Sequence, residues 1–197
     1  MIFTIKKLAL IQEHLIPGSL ITLDLDDTLI QSKTYYGSEE WQWNLYEQYQ
    51  EDGLAPEEAF YKANLEWQKA QYQIEVCAVE NDTLSLIQNW KMKYHIMGLT
   101  ARNPSLIDIT YKQLASLNID LNSPIHPSGI IFGGGNEKGK ALFEYLDKNQ
   151  FIYKRIVGVD DKKYHLQNIL LHCNQKKIGF HGFHYLGKKP YYSSSKS

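Results

Sequence analysis

Short apolar runs alternate along this chain with segments whose apolar residues recur at helical spacing, and this alternation restricts the fold more than any other feature. Leu20-Ile-Thr-Leu-Asp-Leu, after the Pro17-Gly18 turn, reads as a buried strand. Tyr94-His-Ile-Met-Gly-Leu, Gly129-Ile-Ile-Phe, Arg155-Ile-Val-Gly-Val and residues 178–185 read the same way. Helical spacing fills the gaps. A helix over about 83–92 follows Asp82 as its cap. A second opens at Asn103-Pro104, with Ile107, Tyr111, Leu114 and Leu117 as its inner face. A third begins at Lys138 with Leu142, Tyr145 and Leu146 inward, and a fourth carries Leu166, Ile169 and Leu170. Strands that alternate with helices predict an α/β fold: a Rossmann-like parallel sheet with helices on both faces. The first fifteen residues read as an amphipathic helix packed on that domain.

One gap breaks the rhythm. About 70 residues separate the first strand from the second, roughly double what a crossover unit needs. The surplus predicts a small helical cap inserted after the first strand, at residues 35–78. Residues 1–34 and 79–190 then form the core domain, and 191–197 a disordered tail. Within the insert, residues 39–50 suit a helix with Trp41, Leu45 and Tyr49 on one face. Residues 56–72 suit another, with Pro56 at its first position, acids in its first turn, and Phe60, Ala63, Trp67 and Ala70 inward. Ten of the 25 aromatic residues lie in residues 35–72, with eight acids and two lysines. The aromatics therefore read first as the insert's own packing faces beneath an acidic exterior.

Composition excludes several classes. The chain has 197 residues, with 21 Lys+Arg against 22 Asp+Glu, so no basic excess points to nucleic acid. The insert's acids would repel polyanions as well. Every apolar run is interrupted by charge or amide, so no bilayer span is expected and no membrane partner. The N-terminal apolar run is cut short by Gln12, Glu13 and His14, which makes a poor signal peptide. Two distant cysteines, Cys77 and Cys173, imply no disulfide framework or zinc site and favour a reducing compartment. The expected location is the cytoplasm. The oligomeric state is not legible.

Ligands of open parallel sheets bind beyond the carboxyl ends of the strands. Those ends are polar here. The first is followed by Asp24, Asp26, Asp27 and Thr28, and the second ends in Thr100, with Arg102 close behind. The third leads through a glycine-rich loop to Lys138, and the fourth ends in Asp160-Asp161. Singly, each has a bland reading as a cap, a turn former or a solvated charge. Together they would crowd several carboxylates into one crevice. Two like charges ~4 Å apart cost about 4 kcal/mol at an effective dielectric near 20. Such a cluster requires a cation, and all-oxygen ligands select a hard one such as Mg²⁺. Lys138 or Lys140, Thr100 and helix-start N–H groups would then hold an anionic group. Arg102 reads either as a substrate clamp or as a surface arginine. His181 and His184, three apart in a strand, point to opposite faces and do not suggest a metal site.

LITLDLDDTLI resembles the first signature of the haloacid dehalogenase (HAD) superfamily. HIMGLT, Lys138 in NEKGKAL, and IVGVDDKK resemble its second, third and fourth, in family order over residues 20–163. GLTAR, NEKGKAL and VDDKKYHL together resemble a capped bacterial branch catalogued as a domain of unknown function. The resemblance implies a Mg²⁺-dependent phosphatase acting on a small phosphorylated metabolite through an aspartyl-phosphate. Asp24 is then the nucleophile and Asp26 the acid and base. Thr100 and Lys138 bind the phosphoryl group; Arg102, read from its place just after Thr100 and not from the resemblance, would be a further substrate contact. Metal ligands are Asp24, the Asp26 carbonyl, Asp161 and, through water or in the swapped order, Asp160. Thr28 and Asp27 support the loop. Asp26 would have no task in displacing a halide, so the dehalogenase branch fits less well. Tyr35, Tyr36, Trp41 and Trp43 lie where such caps meet the site, placed to contact a sugar or base.

Two other readings compete. One is a non-catalytic phosphoacceptor or binding module similar to a receiver domain, which also gathers acids, Thr and Lys around Mg²⁺. Receivers, however, place the acidic pair first and the phosphorylated Asp on a middle strand. The other is a family member that has lost catalysis.

Overall fold

The computed structural model describes residues 1–135 and 137–190. The tail expected at residues 191–197 lies outside the described residues. Six strands form one all-parallel sheet: β1 (Ile2–Ile5), β2 (Ser19–Leu23), β5 (His95–Thr100), β6 (Ile130–Phe132), β7 (Arg155–Asp160) and β8 (Gly179–Tyr185). Their order is β1-β8-β7-β2-β5-β6. The chain leaves β2 toward β5 and β6, then returns to its other side for β7 and β8, with the earlier β1 at the far edge beside β8. The sheet thus reverses direction at β2, the position where a crevice opens beyond the strand ends.

Residues of β2 alternate between two cores, as a pleated strand requires. Ile21 and Leu23 pack with Leu8, Ile11, Ile87, Trp90 and Leu114. Leu20 faces the other way, toward Leu142, Leu146, Leu166 and Ile169. The first layer comes from a 3₁₀ helix (Leu8–His14), α3 (Thr83–Lys91) and α4 (Ile107–Ser116). The second comes from α5 (Lys138–Lys148) and α6 (Lys163–Gln175). Both faces of β2 are sealed, which is why all five of its residues are buried and its run is mostly apolar.

Three expectations are corrected. The first fifteen residues are not one amphipathic helix. Ile2–Ile5 pairs in parallel with β8, and the 3₁₀ helix follows. A partner some 180 residues away decides between strand and helix there, and no local pattern carries that information. Second, the inner face of α4 is turned. Ile107 is exposed, and Thr110, Gln113 and Leu114 are buried. The polar pair faces inward because a buried arginine, described below, needs acceptors.

Third, the insert's aromatics serve as packing faces only in part, with Trp43 and Tyr46 meeting Phe60 near its surface. It comprises α1 (Glu39–Glu51) and α2 (Pro56–Ala70), flanked by β3 (Ile30–Ser32) and β4 (Val76–Ala78), which pair as an antiparallel ribbon. Ser38 caps α1 through the Trp41 amide, and Pro56 opens α2. No residue of α1 is buried, and α2 buries only Ala59, Ala63 and Ala70. Small alanines let the helices approach closely, while Phe60 and Trp43 stay 46% and 47% exposed.

Candidate active site

Asp24 follows β2 directly, and its amide donates to the Val159 carbonyl, so the strand register carries on to the carboxylate. The chain then turns sharply. The amides of Thr28, Leu29 and Ile30 all donate to the Leu25 carbonyl, and Asp27 takes a positive φ of 56°. Asp24 is left buried at the floor and Asp26 half-exposed above it. Asp27 is paired with Lys188 at 2.7 Å.

Lys138, the first residue of α5, is 1% exposed. Its Nζ donates to Asp24 Oδ1 at 2.6 Å and to Asp160 Oδ2 at 2.7 Å. Gly139 makes that position reachable. A Cβ there would stand 2.7 Å from the Asn168 carbonyl oxygen and 2.6 Å from His172, so only glycine lets α5 begin so close to α6. Lys140 points outward and pairs with Glu137. The structure therefore brings Lys138, and not Lys140, to the strand ends.

Asp160 ends β7. Its Oδ1 accepts from the Lys162 amide at 2.8 Å and meets His165 Nδ1 at 3.2 Å. Asp161 lies beside it, 3.2 Å from Lys162 Nζ, and its carbonyl meets His184 Nε2 at 3.0 Å. Thr100 closes the floor, its hydroxyl accepting from the Arg102 amide. Asp24, Asp160 and Asp161 each offer a carboxylate oxygen, and these oxygens lie within 4.8 Å of one another.

The charge balance of this floor is unfavourable as it stands. Burial, reinforced by Asp160, pushes the Asp24 carboxyl well above its usual range even though Lys138 opposes the shift. Burial works the same way on Asp160, but Lys138 and His165 outweigh it and hold that carboxyl low. Burial pushes Asp161 up to about 6, with Lys162 opposing and Asp160 adding. Lys138 itself is raised, since its two carboxylates overcome its own burial. Lys138 and Lys162, the latter shared with Glu39, leave the three crowded carboxylates short of positive charge. Buried hard oxygens with a deficit of positive charge fit a divalent cation such as Mg²⁺.

The floor opens into a cleft of about 450 Å³ between the sheet and the insert. Gln42, Trp43, Phe60, Asn64, Trp67 and Gln68 line its upper part. Tyr35, Tyr36 and Trp41 do not; Tyr36 packs edge-on against Trp41 and donates to Gln73, and the Tyr35 hydroxyl accepts from Asn44. Arg102 is neither on the surface nor free. It is 3% exposed and pairs with Asp26. Sequence reasoning missed Lys162, His165, His184 and Glu39. Lys162 follows the acidic pair directly, which is a usable signal. His184 carries none, because only the β7–β8 pairing brings it under Asp161.

A family model described as "Protein of unknown function (DUF2608)" matches residues 4–126 and 122–194. The chain belongs to the DUF2608 family. Two relatives of this DUF2608 protein carry the name "Putative outer membrane protein". That of Chlamydia muridarum is 25% identical over 181 residues, covering 86% of this chain and 69% of its own. That of Chlamydia pneumoniae is 26% identical over 178 residues, covering 84% and 68%. These names overturn the expected cytoplasmic location. That expectation rested on two cysteines and interrupted apolar runs, which do not carry an address. No helix among the described residues is long and apolar enough to cross a membrane.

The DUF2608 chain shares its fold with HAD-superfamily proteins. A haloacid dehalogenase-like hydrolase from Streptococcus pneumoniae superposes with a TM-score of 0.51 at 13% identity, covering 84% of this chain and 93% of that one. CbbY from Rhodobacter sphaeroides, solved in complex with phosphate, gives 0.51 at 10% identity, covering 91% and 92%. The DUF2608 protein therefore has the HAD-like, Rossmann-type α/β fold.

Proposed function

We propose that this protein is a Mg²⁺-dependent phosphatase that hydrolyses a small phosphorylated molecule through an aspartyl-phosphate on Asp24. One observation carries the reading: the buried Asp24 carboxylate sits at the end of the sheet's switch-point strand, bonded to Lys138 and grouped with Asp160 and Asp161. The HAD-like fold supports it.

In the first step an Asp24 oxygen attacks phosphorus, the ester P–O bond breaks, and the leaving alkoxide takes a proton from Asp26. In the second, water attacks phosphorus, its proton passes to Asp26, and the bond to Asp24 breaks. Thr100 and Lys138 hold phosphoryl oxygens and offset their charge. Mg²⁺ would be held by Asp24, the Asp26 carbonyl, Asp161 and Asp160, and when bound it offsets negative charge on the phosphoryl group. The insert covers the cleft and limits water. The names of the chlamydial relatives favour a place outside the cytoplasm.

A generic aryl phosphate assay tests this reading. Wild type is expected to turn over with Mg²⁺ and not in excess chelator, and Asp24→Asn is expected to be inactive. Multiple turnover by Asp24→Asn would remove Asp24 from its role. Stoichiometric phosphorylation without turnover would favour a phosphoacceptor module instead.

A further inference from the structure

Arg102 has five N–H donors, and the structure supplies five acceptors. Nε donates to Asp26 Oδ2 at 2.8 Å, and Nη2 to Asp26 Oδ1 at 2.7 Å. Nη2 also donates to Gln71 Oε1 at 3.3 Å. Nη1 donates to Thr110 Oγ1 at 2.9 Å and Gln113 Oε1 at 2.7 Å. No donor is left over for a phosphate oxygen. The side chain is 1% exposed, whereas that of Asp26 is 36% exposed.

We propose that Arg102 is a positioning residue that holds the Asp26 carboxylate for its work as the base of the hydrolytic step, and that it is not a phosphate clamp. The proposal rests on the reading of Asp26 given above. A guanidinium fork fixes the plane of a carboxylate, because it binds both oxygens at once. Each Asp26 oxygen then keeps acceptor capacity beyond the fork, and Asp26 lines the cleft. The fork is itself held on every side. Thr110 and Gln113 fix it from α4, Gln71 meets it from the end of α2, and the Trp67 ring lies 5.6 Å from Cζ. Gln113 Nε2 also donates to the Gln71 carbonyl at 3.1 Å, so the seating of the insert on the core is built into the position of Asp26. This accounts for the polar inner face of α4.

The two steps can be separated with p-nitrophenyl phosphate, whose leaving group needs no acid. Rapid mixing and acid quench report phosphoenzyme formation and hydrolysis for wild type, Arg102→Lys, Gln113→Met and Asp26→Asn. Arg102→Lys keeps the charge but loses the fork. Its phosphoenzyme is expected to hydrolyse ~10- to 100-fold more slowly and to accumulate, since a positioned base contributes about 10²- to 10⁴-fold. Formation rate and inhibition by inorganic phosphate stay within about twofold of wild type. Gln113→Met, which removes one of the fork's supports away from the cleft, shifts hydrolysis in the same direction by less, and it carries the test if circular dichroism finds Arg102→Lys unfolded. Slower formation and weaker phosphate inhibition, with hydrolysis unchanged, would show a clamp and overturn the proposal. If Asp26→Asn hydrolyses its phosphoenzyme at the wild-type rate, the role of Asp26 fails first. If wild type forms no phosphoenzyme, the phosphatase reading fails.

Discussion

Lys162 Nζ lies 2.6 Å from Glu39 Oε2, which ties the lysine after the acidic pair to the first residue of α1. The same ammonium is 3.2 Å from Asp161. One charge thus joins the insert to the candidate metal group, and the two acids hold Lys162 above the ordinary lysine range despite its partial burial.

Breaking that link is expected to loosen the insert with little effect on the core. Both side chains keep some exposure, so Glu39→Gln should cost about 1 kcal/mol or less in global stability. Amide hydrogen exchange in α1 should nevertheless quicken while exchange in β2 and β7 stays as in wild type. Equal changes in both regions would mean that the pair stabilises the whole domain and does not seat the insert.

Lys138 and Lys140 differ by two positions and should differ widely in effect. Lys138→Met leaves Asp24 and Asp160 buried without their cation, a change that typically costs about 3–5 kcal/mol. Lys140 is exposed, and its replacement by Met should stay within ~0.5 kcal/mol. Denaturant unfolding in chelator compares the two. A similar small loss for both would contradict the pairing of Lys138 with the floor.

Mg²⁺ should stabilise the folded chain by mass action. At ~100 times its dissociation constant, the gain is about 2.7 kcal/mol. Asp161→Asn should remove most of it. Calorimetric melting over a Mg²⁺ series is the measurement, and a flat series would count against a cation at Asp24, Asp160 and Asp161.

His126 should make the fold acid-sensitive independently of the site. It is fully buried between the Tyr145 and Tyr153 hydroxyls, with His95 nearby. Burial, aided by His95, lowers its imidazole to about 4. Unfolded chains would protonate this histidine near pH 6.5, before the native state does. Its contribution is therefore complete above pH 6.5 and is lost as pH falls toward 4, on the order of 3 kcal/mol in all. His126→Gln should show a shallower decline in melting temperature over that interval. Parallel curves for the two proteins would exclude His126 as the source.

Much of the fold was legible because it is written in local periodicity. The five strands from β2 to β8 that form the main sheet, and α1 to α6, all follow from apolar spacing, caps and turns. β1 was not, since four residues acquire strand geometry only from the free edge of β8. Of the site, Asp24, Thr100, Lys138, Asp160 and Asp161 were legible as polar residues at strand ends. What each one touches was not. Arg102 illustrates the difference. Its sequence position allowed a clamp or a surface charge, whereas the structure surrounds it with Asp26, Gln71, Thr110 and Gln113 from three separate segments. The aromatic insert illustrates it too, for helical spacing identified the stripe without telling which side would meet solvent.

The chain's own pattern determined which segments become strands and helices and which chemical groups stand at the strand ends, because periodicity and capping act over a few residues. Tertiary structure alone decided the charge pairing: Lys138 between two carboxylates, Arg102 on Asp26, Lys162 on Glu39. Those partners are 20 to more than 120 positions apart, and Coulomb interactions depend on distance in space and on burial, neither of which local spacing encodes.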